Sequence, residues 1–125
     1  MSMTKPVLLK LVDIAEPWNP AQATERIRSI ANGNLCLSYK EHAKDQLEHR
    51  NLIMGDLTFL LKNGFVYEAA EEATRAPFWK YQIQCTTPNS KSREVRAVVI
   101  PDWKRKEIKV VTVMWADEAR ITGKK

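Results

Sequence analysis

The chain has 125 residues, 44% of them hydrophobic and 28% charged, with four tryptophans. That is the length of one domain with enough apolar residues for its own core, which excludes a disordered chain and a scaffold that needs staples to fold. The charge is uneven: residues 1–74 carry 8 Lys/Arg against 10 Asp/Glu and residues 75–125 carry 12 against 5, a balance of −2 followed by +7 within the net +5.

No apolar run approaches the ~20 residues of a membrane span. The N-terminus has one lysine and a broken apolar run, without the h-region of a signal peptide. Cys36 and Cys85 form no disulfide framework. A cytoplasmic protein with reduced thiols and no membrane partner is the plain expectation. The basic second half suits a polyanion, whose approach its field would steer. It suits a merely soluble basic surface equally well.

Residues 1–19 read as an N-terminal arm, in which Val7–Val12 forms an edge strand or packs on the body. The first helix is predicted from about Pro20 to Ala31. Asn19 can cap it, Pro20 fits the first helical position and Gln22 completes a capping box. Ala23, Ile27, Ile30 and Ala31 mark its apolar stripe, and Asn32-Gly33 stops it. A second helix runs from Ser38 to Arg50, with Ser38 and Glu41 at the spacing of a capping box and Ala43 and Leu47 facing inward. His42, Gln46, His49 and Arg50 recur at three- and four-residue steps and crowd toward one side. Asn51 suits a left-handed exit. A third helix starts near Met54, buries Leu57, Leu60 and Leu61, and ends at Asn63-Gly64.

The period then changes from 3.6 to 2. Phe65–Glu68 is a short strand. Phe78–Cys85 alternates, with Trp79, Tyr81, Ile83 and Cys85 on one side and Lys80, Gln82 and Gln84 on the other. Glu94–Ile100 separates Val95, Ala97 and Val99 from Arg96, Val98 and Ile100. Glu107–Trp115 is rich in β-branched residues. Pro88–Ser92 and Pro101–Lys106 are the turns, so neighbouring strands pair antiparallel. The expected fold is α+β: over residues 20–115, N-terminal helices pack on one face of a three- to four-stranded antiparallel sheet, and residues 116–125 are a polar, basic tail.

His42-Ala43-x-x-Gln46-Leu47-x-x-Arg50-x-Leu52, then Asp56-Leu57 and Leu60-Leu61-Lys62-Asn63-Gly64, resembles a widespread bacterial family described as a domain of unknown function. Ala23-x-x-Arg26-Ile27-Arg28, Trp79-Lys80-Tyr81, Arg93–Ile100 and Val110–Val113 extend the likeness over about Pro20 to Trp115. The chain departs from the family pattern in the extra Glu41, in Gln46 where arginine is frequent and in Asn51 where glycine is frequent. The family is similar to RelE/ParE-type toxins, including MqsR-like ribonucleases. The resemblance implies a RelE-like fold, metal-independent RNA cleavage as in several members of that superfamily, and a neighbouring antitoxin that holds the activity in check. Fold alone does not carry function.

RNA cleavage without a metal needs a base for the 2′-hydroxyl, cations for the charge gathering on phosphorus and an acid for the leaving oxygen. His42 is the expected base or acid, since imidazole titrates near neutral pH. Arg50 and Arg96 are the expected cations at the reacting phosphate, each able to offer a guanidinium fork. Lys40, Gln46 and Lys80 are expected phosphate contacts, and Tyr81 is a further proton donor unless alternation places it in the core. Trp103, Lys104 and Arg105, with Lys106 and Lys109, form a basic hairpin tip that either stacks a base and tracks phosphates or simply keeps a sheet edge soluble. The competing reading of His42 is a bond to a strand carbonyl, and of Arg50 a pair with Asp56 or Glu48. His42 and His49 lie ~10 Å apart along a helix axis, too far to share one ion, so neither metal nor cofactor is expected.

Two functions follow as expectations. One is a toxin-like RNA endonuclease with RNA and an antitoxin as partners. The other is a non-catalytic module that binds nucleic acid, or an acidic protein, through the basic half.

Overall fold

A computed structural model describes residues 17–33, 36–39, 41–75 and 77–118. The expected arm strand, most of the basic tail and Lys40 lie outside these residues. In chain order the elements are α1 (Pro20–Asn32), β1 (Cys36–Tyr39), α2 (Glu41–His49), α3 (Met54–Asn63), β2 (Phe65–Val66), β3 (Glu71–Glu72), β4 (Trp79–Thr86), β5 (Glu94–Asp102) and β6 (Glu107–Trp115).

The first helix forms as its capping signals predict. Asn19 Oδ1 accepts from Gln22 N at 2.8 Å, Gln22 Oε1 accepts from Asn19 N at 3.2 Å, and Pro20 begins the helix. Ala23, Ile27, Ile30 and Ala31 are its buried stripe. The expected Ser38 cap does not exist. Cys36–Tyr39 is a strand, Ser38 stands opposite Lys109, and α2 begins at Glu41. A short β-compatible run beside a helix start looks like a cap when its pairing partner is seventy residues away.

The sheet corrects two further expectations. Among the described residues six strands take part rather than three or four, in the order β1-β6-β5-β4-β2, with β3 also pairing antiparallel with β4 beyond β2. The β4, β5 and β6 strands form the antiparallel meander the turns predict, but β1 pairs parallel to β6. Helices and strands therefore alternate once before the helical pair, and the sheet is mixed.

The helices α1, α2 and α3 cover one face of the sheet. α1 packs on α3 and β2, α2 on β6, and α3 on β4 and β5. The inner face supplies Tyr81, Ile83, Val95, Ala97, Val99, Ile108, Val110 and Val113, which meet Ile27, Leu57, Leu60 and Leu61. Gly64 marks where α3 turns into β2. A Cβ there would sit 2.6 Å from Leu60 O and 2.7 Å from Ile83 Cγ1, so the close approach of helix end to sheet demands glycine.

Asp56, 1% exposed, pins α3 to the β4–β5 turn. Its carboxylate accepts from Ile53 N at 2.9 Å, Asn89 N at 2.9 Å and Asn89 Nδ2 at 3.0 Å. Burial alone would raise this carboxyl, but the donated amides outweigh it and hold Asp56 below the ordinary carboxylate range.

Candidate functional site

Beyond Tyr39, strand β1 no longer covers β6, and the exposed edge amides of β6 need acceptors. α2 lies along this margin. Gln46 Oε1 accepts from Val113 N at 2.7 Å and from Thr112 Oγ1 at 3.0 Å. One turn on, Arg50 donates Nε to Glu118 Oε1 at 3.1 Å and Nη1 to Gln46 O at 3.0 Å, and Nη2 pairs with Glu118 Oε2. Glu118 Oε1 also accepts from Trp115 N at 3.1 Å. The Arg50 bonds, ahead of the opposing effect of burial, hold the Glu118 carboxyl below its usual range.

Gln46 and Arg50 are thus the hooks that fasten α2 to the sheet. The Arg50 side chain is only 11% exposed and its fork is occupied by Glu118, rather than by the Asp56 or Glu48 considered from sequence. One turn before Gln46 on the same stripe, His42 is exposed and forms no hydrogen bond or ion pair with another described residue. His49 is exposed as well.

Arg96 belongs to the other face of the sheet. Its neighbours Val95 and Ala97 are buried against the helices, so alternation turns Arg96 outward. Register builds a continuous outer row across four strands: Phe65 opposite Gln84, Gln84 opposite Arg96, Arg96 opposite Met114. Arg96 Nε and Nη2 donate to Gln84 Oε1 at 3.0 and 2.7 Å, and Gln84 Nε2 donates to Glu94 Oε1 at 2.6 Å. At the β2 end of the row, Arg28 lies 4.4 Å from the Phe65 ring centroid, and Phe65 stacks on Tyr67. Lys80 is on this outer face too, opposite Glu71 of β3.

The hairpin tip splits in two. Trp103 turns toward α1: its ring carries Lys106 Nζ at 3.2 Å and Arg26 at 5.6 Å, and meets Trp18 edge-on. Trp18 in turn stacks on Tyr81 and donates its amide to the Tyr81 hydroxyl at 2.8 Å. Tyr81 is buried, and desolvation, against the opposing Trp18 amide and Arg26, keeps its phenol protonated well into alkaline pH. That is the core placement alternation allows. Lys104 is exposed, while Arg105 lines a groove of about 310 Å³ on the outer face with Ala73, Arg75, Phe78, Ile100, Asp102, Glu107 and Lys109.

The expected site residues therefore fall into three places. His42, Gln46 and Arg50 share the β6 margin, Arg96 and Lys80 stand on the outer face, and Arg105 enters the groove. Arg75, Phe78, Asp102 and Glu107 were not singled out from sequence. Alternation does put Asp102, Glu107 and Lys109 on the outer side of their strands, but the turn that carries Arg75 and Phe78 over them has no periodic signal. Among the described residues no group of three His, Cys, Asp or Glu side chains converges as metal ligands would, and no helix is long and apolar enough to cross a membrane.

The chain belongs to the family described as a domain of unknown function (DUF4258), which matches residues 39–115. The match runs from the end of β1 to the end of β6 and leaves out α1, although α1 contributes four residues to the shared core. Neither a curated protein nor a solved structure matches the chain.

Proposed function

We propose that this protein is a toxin-like, metal-independent RNA endonuclease that uses the outer face of its sheet to hold RNA. The observation that supports this most is His42: an exposed imidazole with no partner among the described residues, on a helix whose next two turns are fastened to β6 by Gln46 and to Glu118 by Arg50. An exposed imidazole on a fixed support suits general acid–base work. Arg96, on the outer face away from His42, is held by Gln84 and serves this reading as an RNA contact rather than as a cation at the reacting phosphate. In this reading Arg50 is a positioning residue rather than a catalytic one, because its fork already holds Glu118. A neighbouring antitoxin remains part of the proposal as the resemblance implies it.

The test is RNA cleavage by purified protein in the presence of EDTA across pH 5–8, with His42→Ala and Arg96→Ala alongside. The expected result is cleavage that falls at least ~100-fold in His42→Ala, the contribution general acid–base catalysis typically makes. Intact RNA with wild-type protein at every pH overturns the enzyme.

A second reading, a nucleic-acid-binding module without catalysis, is favoured by one observation: Arg96 is tied into the Gln84–Glu94 chain on a face that also carries Phe65 and Tyr67. It predicts salt-sensitive RNA binding that His42→Ala leaves unchanged.

A further inference from the structure

Phe65 and Tyr67 flank buried Val66 at the β2 edge and are 46% and 61% exposed. Their rings stack, with centroids 6.1 Å apart and planes 25° from parallel. Arg28 fixes Phe65: it lies 4.4 Å from the ring centroid and is itself held by Nε to Gly64 O and Nη2 to Asn63 O, both at 2.9 Å. Tyr67 meets no other ring or cation among the described residues. Rings already aligned and held lose little rotamer freedom when a further ring joins them.

Register orders the charges beyond the pair. Gln84 stands opposite Phe65 and Arg96 opposite Gln84, so Arg96 lies two strand spacings, roughly 9.5 Å, from Phe65. Gln84, a neutral partner, takes Nε and Nη2 of Arg96 and leaves Nη1 uncommitted among the described residues. Between Glu94 at one end of this face and the Asp102/Glu107 pair at the other, the outward positions of β4, β5 and β6 carry Lys80, Arg96 and Lys109 and no carboxylate. The acids of the β2 side are at its margin: Glu68 follows Tyr67, and Glu71 stands opposite Lys80. The row ends at Met114 on β6, the strand on which α2 packs.

We propose that Phe65 and Tyr67 are a stacking platform for an unpaired base of single-stranded RNA, whose backbone phosphate Arg96 holds. At Tyr67 the attraction is stacking, because Glu68 stands beside it, and toward Arg96 charge takes over. The bases of a duplex are already stacked on one another inside the helix, so only an unpaired base can lay its face on an exposed ring. The inference rests on the RNA reading above and adds to it the form of RNA that the outer face takes.

The probe is a twelve-residue 2′-O-methyl RNA with a central 2-aminopurine, which the cleavage proposed above cannot consume, set against a duplex of the same strand with its complement. With the full chain the expected result is quenching of the fluorophore and at least ~5-fold tighter binding of the single strand, the lower end of what one base stacked on an aromatic side chain contributes. Tyr67→Ala should remove both the quenching and the preference, and Tyr67→Phe should keep both. Phe65→Leu is a second variant with the same expected losses as Tyr67→Ala, and a thermal melt of each variant checks that it is folded. Arg96→Ala should weaken the single strand and flatten the slope of log affinity against log salt by about 0.7, the share of one phosphate in a single strand. Equal affinity for the two forms, quenching that survives Tyr67→Ala, or a loss in Tyr67→Phe as large as in Tyr67→Ala overturns the platform. An unchanged salt slope in Arg96→Ala overturns its phosphate contact. Cleavage of unmodified RNA together with an unquenched probe removes the platform and leaves the endonuclease standing. Quenched, Tyr67-dependent binding of the single strand without any cleavage in EDTA removes the endonuclease and leaves the platform.

Discussion

The β6 margin and the hairpin-end groove are built from the same residue types and put them to opposite uses. At the margin, Gln46, Arg50 and Glu118 spend their hydrogen bonds on one another and on the strand edge. In the groove, three cations and two carboxylates stay unpaired among the described residues although they share one cavity. A charge whose partners are already in place supports the fold, and a cluster that lacks them is where a ligand can add free energy. Residue type alone does not separate the two cases, since an arginine contributes to the fold at position 50 and has no ion-pair partner among the described residues at position 75.

The largest test of this contrast is Arg50→Ala. It leaves Glu118 half-covered without its guanidinium and unhooks α2, which should cost about 2–4 kcal/mol in urea unfolding, toward the lower side of the range for buried pairs because Glu118 is 38% exposed. The same region should set part of the acid limb of stability. Glu118 and Asp56 both have folded-state values below their unfolded ones. Their contribution is therefore fully present above about pH 4.5 and is lost as pH falls through the folded-state values. Unfolding midpoints measured against pH should flatten on that limb in Arg50→Ala and in Asp56→Asn.

Gly64→Ala comes next in size. Its methyl would press on the Leu60 carbonyl and on Ile83, and overpacking of that kind costs about 1–3 kcal/mol. Gln46→Ala should cost about 1–2 kcal/mol by leaving the Val113 amide without its acceptor. Arg75→Ala and Lys109→Ala, by contrast, should move stability by less than about 0.5 kcal/mol, as surface changes without partners do. A loss comparable to that of Arg50→Ala would show that the groove is wired into the fold after all.

The smallest expected effect is a gain. Lys91 and Ser92 both take positive φ, 54° and 67°, in a turn closed by Arg93 N to Ser90 O. Two left-handed residues in succession suit Asn-Gly, so replacing the pair by those residues should stabilise the chain by about 0.5–1 kcal/mol without touching either region.

Local signals settled the parts of this protein that depend on neighbours in the chain. The Asn19/Gln22 box, the end of α3 at Gly64, the left-handed Asn51 and the inward faces of β4 and β5 all follow from short spacings. What the residue order left open was every pairing over long separation. Whether Ser38 caps a helix or pairs with Lys109, whether Arg50 meets Glu48 or Glu118, and whether Trp103 faces solvent or Trp18 depend on which segments the core brings together. Hydrophobic periodicity tells a residue which way to face, and only the packed sheet decides what it finds there.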